Sequence, residues 1–327
     1  MVIAVDAAGG DFYPKNPIQG AVEAISEKEN LQVLLVGDEQ DIRKELAGFS
    51  TDGSRIHILH APETIGMEES PSSAVKNKPQ SSIVLGLKAQ KEGKCQAFVS
   101  AGNTGALLAA SVFILGKLDG VQRPTIAAAF PTLKGFRLLL DAGANLELKA
   151  ETFVQFARMG SIYSREVLKV KDPQVGLLNV GEESEKGTEL LKDAYKQLSS
   201  LPNFKGNVEG RDIFHAKADV FLCDGYLGNV LLKFGESIPA ILQYLIGDTM
   251  KKMELDTDSR DKIMKVLHQS LHSFNYEHVG GVPFLGVNGV SMVGHGGSTP
   301  MAIKNMILNA ARCVEMEVNN KIVDSLT

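Results

Sequence analysis

Short apolar runs recur along the chain. Each is closed by glycine with small or acidic residues, and a segment with helical spacing follows. The runs are "VIAV" (2–5), "LQVLLV" (31–36), "RIHIL" (55–59), "QAFVS" (96–100), "TIAAAF" (125–130), "FRLLLD" (136–141), "VGLLNV" (175–180), "DVFLCD" (219–224) and "GVSMVG" (289–294). Most are apolar at every position rather than alternating. Both faces of such strands are covered, which predicts a mostly parallel sheet between helical layers. No fixed-period repeat or low-complexity segment interrupts the scheme. The stretch "KVKDPQ" (169–174) marks a boundary between halves but is too short to be a free linker, so residues 1–327 are expected to form a single α/β domain.

One segment departs from this pattern. From Glu236 to Phe274 no strand signal occurs, and two amphipathic helices are predicted around "ELDTDS" (254–259). Ile238, Ile241, Leu242, Leu245, Ile246, Met250 and Met253 follow steps of three and four. Ile263, Val266, Leu267, Leu271 and Phe274 make a second stripe. Residues 236–275 are therefore expected to leave the body as a helical hairpin, returning through "NYEHVGG" (275–281). The stripes would pack on each other and on a second copy of the chain. Lys251, Lys252, Lys262 and Lys265 lie near the turn, where they would meet anionic headgroups beside a tip at Met250 to Leu255.

Composition narrows the class. The 327 residues are 44% apolar and 22% charged, an ordinary globular balance. A net charge of -5 and the lack of a basic stripe argue against nucleic acid. Cys95, Cys223 and Cys313 are distant from one another, as suits a reducing compartment rather than a disulfide framework. The chain enters its first strand directly, so no signal peptide is expected. No apolar run approaches the roughly 20 residues of a membrane span.

In a parallel sheet the loops after the C-terminal strand ends share one edge, and ligands bind there. Six such loops combine glycine with Asp, Asn, Ser or Thr: "DAAGGD" (6–11), "SAGNTGA" (100–106), "DAGAN" (141–145), "NVGEESEKGTE" (179–189), "DGYLGN" (224–229) and "GHGGST" (294–299). Each alone reads as a capped, tight strand-to-helix turn. Together they suggest a common anion site, with close backbone approach at glycine and free N–H groups at helix starts. Ser100, Asn103 and Thr104 would add side-chain donors. The dinucleotide fingerprint, the P-loop, the G-x-S-x-G elbow and H-E-x-x-H are all absent. Of seven histidines, His295 alone sits in a glycine-rich loop. Cys223 reads as a small buried residue. Lys186 is either the site's cation or a solvated loop lysine. Asp6, Asp11, Asp141 and Asp224 either cap turns, orient a substrate or hold a metal.

Five of these segments in order, "VDAAGGD", "SAGNTGALL", "LLLDAGAN", "GLLNVGEESEKG" and "CDGYLGNVLLK", resemble the PlsX family of acyl-acyl carrier protein:phosphate acyltransferases. The likeness runs to about residue 315. Ala8, Tyr226, Leu227 and the "GHGGST" loop depart from the family pattern. The resemblance implies a three-layer α/β/α Rossmann-like fold, similar to the isocitrate/isopropylmalate dehydrogenases. It implies a homodimer at the cytoplasmic membrane surface, and no cofactor or metal ligand is assigned. The substrates would be acyl carrier protein loaded with a long-chain fatty acyl group and inorganic phosphate. The acyl phosphate product would pass to a membrane acyl phosphate:glycerol 3-phosphate acyltransferase.

Inorganic phosphate is itself a nucleophile, so direct attack on the thioester needs only placement and oxyanion stabilisation. Lys186 would neutralise charge, and Asn179 and Asn229 would donate hydrogen bonds. Gly102, Asn103, Thr104 and Gly105, with Gly143 and Asn145, would hold phosphate. Gly9, Gly10, Asp141, Gly228 and His295 belong to the same loops, while Asp6 and Asp224 would orient donors. Three alternatives remain: a short-chain acyl-CoA:phosphate transferase of related fold, a metal-dependent dehydrogenase, and a non-catalytic anion-binding module that recruits partners to membranes.

Overall fold

A computed structural model describes every residue except Asp52, His272, Ser273, Asn275, Tyr276, His278 and Thr327. Part of the predicted return segment, residues 275–281, and the predicted hairpin's last residue therefore lie outside the described residues.

The strands form two sheets. The first contains β1 (Val2–Asp6), β2 (Gln32–Gly37), β3 (Ile56–His60), β4 (Ala97–Ser100), β5 (Thr125–Ile126), β11 (Val282–Leu285) and β12 (Val290–Val293). Their order is β3-β2-β1-β4-β12-β11-β5. The second contains β6 (Ala128–Thr132), β7 (Gly135–Leu140), β8 (Val175–Leu178), β9 (Phe204–Val208) and β10 (Val220–Leu222), in the order β6-β7-β10-β8-β9. Only β11, against both neighbours, and β6, against β7, pair antiparallel. The mostly parallel α/β architecture expected from the all-apolar strands is thus present, with buried runs such as Ala97–Ser100 and Val175–Leu178.

Helices cover both faces of the first sheet. On one face, α1 (Lys15–Glu27) packs on α10 (Pro300–Glu315) over a core of Ile3, Val5, Ile18, Val33, Ile303 and Ile307. Near the sheet edge lies α2 (Glu39–Leu46). On the other face are α3 (Pro71–Asn77), α4 (Ser82–Lys91) and α5 (Thr104–Ile114), with Phe98, Leu107 and Leu87 at the centre. Gly86 lets α4 approach there, because a Cβ would enter the ring of Phe98. Beneath the second sheet, α6 (Ala150–Glu166) packs on α7 (Glu189–Leu198) and α11 (Val318–Leu326). Its opposite face meets α8 (Gly225–Lys252), which α9 (Thr257–Leu271) follows.

The structure corrects two readings and extends a third. The change of sheet falls at Ala127, between β5 and β6, and not at residues 169–174, which join α6 to β8 within the second half. The helix that carries the hairpin begins upstream of residue 236. One helix runs from Gly225 through Pro239 to Lys252, about 42 Å at 1.5 Å per residue. That helix is also long and apolar enough to cross a membrane by length and composition, with an 18-residue window of mean hydropathy 1.2. The sequence reading missed it because Lys233, Glu236 and Asp248 break up the run. Its first turn is locked to the second sheet by Gly225 N–H donating to Asn145 O at 2.7 Å.

Candidate active site

The parallel strands deliver the six glycine-rich loops to the strand ends, and five of them interlock in two sets. In the first sheet, Gly294 N–H donates to Ser100 O and Asp11 N–H to Gly296 O, both at 2.8 Å. Gly10 lies at φ +91°, and a Cβ there would stand 2.9 Å from Gly296 O, so this close backbone contact requires glycine. In the second sheet, Asp141 N–H donates to Cys223 O at 2.9 Å and Cys223 N–H to Leu140 O at 2.6 Å. Gly228 is tighter still: any side chain would run into the Asp141 carbonyl. The sets approach across α8, where Glu236 lies 3.9 Å from His295 Nε2. This carboxylate raises the His295 pKa above the ordinary histidine value.

Most of the predicted polar residues hold loops in place. Asp6 is 2% exposed and accepts Ser100 Oγ at 2.6 Å and Ala8 N–H at 3.1 Å. Ser100 Oγ accepts Gly102 N–H at 3.0 Å. Asn103 caps α5 by accepting Ala106 N–H, while its amide donates to the carbonyls of Gly66, Met67 and Glu69. Asp141 is fully buried and accepts from Ile126 N–H, Ala144 N–H, Asn145 N–H and the Asn145 amide. Asp224 caps α8 through Leu227 N–H. Burial raises the pKa of Asp6 and of Asp141, partly offset by these hydrogen bonds.

These bonds show which of the expected donors are already engaged. Ser100, Asn103 and Asn145 spend their side-chain donors inside the protein, while Asn179 commits one amide N–H to Lys186 O at 3.0 Å and its Oδ1 accepts Val180 N–H. The Asn179 bonds close the loop that presents Lys186. Gly187 completes that turn at φ +88°, pressed against Asn179. Asp6 and Asp224 accept hydrogen bonds from their own loops, Asp6 from Ser100 Oγ and Ala8 N–H and Asp224 from Leu227 N–H.

Three predicted side chains stay open. Lys186, Asn229 and Thr104 are exposed, and their side-chain donors have no partner among the described residues. The N–H groups of Thr104 and Gly105 open α5, ahead of those taken by Asn103, and have no acceptor in the helix. Gly143 (φ +129°) lies against Asn229, where a Cβ would contact its side chain at 3.6 Å. A cation, an amide, a hydroxyl and a helix start facing the strand ends are suited to holding an anion. Cys223 is no nucleophile: it is buried, donates to Asp141 O, and desolvation pushes its thiol pKa well up.

A family model for fatty acid synthesis proteins matches residues 1–321. The chain belongs to that family. It is 46% identical over 338 residues to a phosphate acyltransferase of Chlorobaculum parvum, covering 100% of this chain and 99% of the relative. It is 48% identical over 319 residues to one of Salinibacter ruber, covering 96% and 94%. The chain is accordingly an acyltransferase enzyme, and the resemblance read from its five motifs is borne out. Among solved structures, EutD phosphotransacetylase from Staphylococcus aureus superposes with a TM-score of 0.61 at 15% identity, covering 96% of this chain and 94% of that one. A 4-hydroxythreonine-4-phosphate dehydrogenase from Klebsiella pneumoniae gives 0.51 at 13% identity, covering 96% and 97%. At these identities the likeness is one of fold.

The sequence reading missed an apolar cleft of about 550 Å³ beside the Lys186 loop, lined by Leu178, Val180, Leu191, Leu227, Leu231 and Gly210. Leu227 and Leu231 are spaced by one turn at the start of α8, which is a signal of a shared face. Nothing in the local sequence says what that face meets.

Proposed function

We propose that this enzyme transfers a long-chain fatty acyl group from acyl carrier protein to inorganic phosphate, giving acyl phosphate and free carrier protein. Phosphate sits at the start of α5, held by the Thr104 and Gly105 N–H groups and the Thr104 hydroxyl. A phosphate oxygen attacks the thioester carbonyl, the C–S bond breaks, and the phosphate hydroxyl proton passes to the departing sulfur. Lys186 and Asn229 stabilise the tetrahedral oxyanion. The observation that carries this reading is that Lys186, Asn229 and Thr104 keep open donors where Ser100 and Asn103 have spent theirs. The donors left open suit an anion, and the buried Cys223 offers no acyl-enzyme route.

The exposed apolar face of the hairpin supports two further parts of the proposal. Ile241, Tyr244 and Leu245 lie on one helical face of α8 and are at least half exposed, Tyr244 at 73%, which suits a homodimer through this face. Met253, 64% exposed, and Leu255 lie at the turn and would touch the cytoplasmic membrane reversibly. Met250, expected at this tip, is buried. Lys252 and Lys262 pair with Asp248 and Asp258, leaving Lys251 and Lys265 as the cations for headgroups. Membrane contact would place the acyl phosphate near a membrane acyl phosphate:glycerol 3-phosphate acyltransferase.

The test is phosphate-dependent release of free carrier protein from a palmitoyl-loaded carrier, with acetyl-CoA assayed beside it. Preference for acetyl-CoA would make this a short-chain transferase. Phosphate binding without turnover of either donor would make it a binding module.

A further inference from the structure

We infer that the cleft between the β8–α7 loop and the first two turns of α8 holds the hydrocarbon chain of the acyl donor, with Gly210 setting how much chain it admits. This rests on the acyl-transfer reading above and names the substrate-binding surface that reading needs.

Four leucines and a valine line the cleft, Leu178, Leu191, Leu227, Leu231 and Val180, and its volume of about 550 Å³ falls in the ordinary range for ligand pockets. Val180 is 80% exposed at its wall, a cost in apolar surface that an apolar occupant would remove. The cleft is continuous with the candidate active site. Asn179 and Gly187, which close the turn presenting Lys186, line it directly, and Leu227 and Leu231 precede and follow Asn229 on α8. An acyl chain lying here would bring its thioester end to the loop where the free ammonium stands. Gly210, at the start of a single 3₁₀ turn, forms part of the wall. A Cβ added there meets nothing within 4 Å, so a larger side chain enters free space without moving the fold.

The experiment compares Gly210→Leu and Val180→Asn with the unaltered enzyme. It uses palmitoyl- and butyryl-loaded carrier protein with phosphate, and fluorescence titration with parinaric acid in the absence of carrier and phosphate. In both variants the palmitoyl-to-butyryl ratio of kcat/KM should fall by about tenfold or more, the scale on which apolar pockets discriminate. Parinaric acid binding should weaken in parallel. An unchanged ratio with turnover intact would overturn the cleft assignment and leave the acyl-transfer reading standing. If the unaltered enzyme turns over neither donor but binds parinaric acid, and both variants lose that binding, the cleft stands and the carrier-dependent reaction is wrong. Absence of both turnover and parinaric acid binding in the unaltered enzyme would overturn both.

Discussion

Ser100 donates its hydroxyl to Asp6 Oδ2 at 2.6 Å and, through the same oxygen, accepts Gly102 N–H at 3.0 Å. This buried pair ties the end of β4 to the end of β1. It makes Ser100 a strut for the loop that opens α5. Ser100→Ala should therefore lower stability by about 1–3 kcal/mol, the cost of leaving buried polar partners unsatisfied. Urea unfolding checks this. A raised phosphate KM at unchanged stability would instead make Ser100 a phosphate donor.

The buried carboxyls shape the pH dependence of folding. Burial raises the pKa of Asp6 in the folded state, so between its unfolded value, about 4, and its folded value the native protein holds a proton that the unfolded chain has lost. Over that window stability falls as pH rises, and below it the group contributes no slope. Asp6→Asn removes the titration. Its unfolding free energy relative to the unaltered enzyme should therefore shift in the variant's favour as pH rises above about 4. Parallel curves for the two proteins would show that Asp6 keeps its ordinary pKa.

The Lys186 ammonium has no partner among the described residues, so its removal should affect chemistry and spare the fold. Lys186→Ala should lower kcat by about 10²–10³, comparable with loss of an oxyanion donor, at unchanged thermal stability. Asn229→Ala should act in the same direction but less. Steady-state assays with calorimetry measure both, and near-normal turnover would return Lys186 to the status of a solvated loop lysine.

Because α8 runs unbroken from the site to the hairpin turn, its base and tip are testable separately. Leu245→Glu should yield monomers in analytical ultracentrifugation. Met253→Glu combined with Leu255→Glu should abolish co-sedimentation with anionic vesicles and leave the dimer intact. A monomeric tip variant would assign the tip to the interface, and unchanged vesicle binding would remove the membrane role.

Much of the fold was legible because strands buried on both faces must be apolar at every position. All nine runs named from the sequence became strands, with "TIAAAF" split between β5 and β6. The two strands not foreseen lack that signature: β9 carries Lys205, Gly206 and Asn207, and β11 carries Pro283. Both lie beside strands that supply their hydrogen bonds, which local composition does not record.

The site divided along the same line. Glycine with small polar residues after a strand marks a loop whose backbone must turn tightly, and the sequence alone determined where those loops lie. Which side chains remain available was decided only by tertiary structure. Asn103 and Asn229 are the same residue in similar loops, yet Asn103 spends its amide on carbonyls 34 to 37 residues away and the Asn229 amide has no partner among the described residues. A hydrogen bond depends on tenths of an ångström and on orientation, and packing between distant segments sets both. The leucine cleft follows the same rule: Leu191 and Leu227 are neighbours because β8 and β10 pair in parallel and send α7 and α8 to opposite walls of one opening.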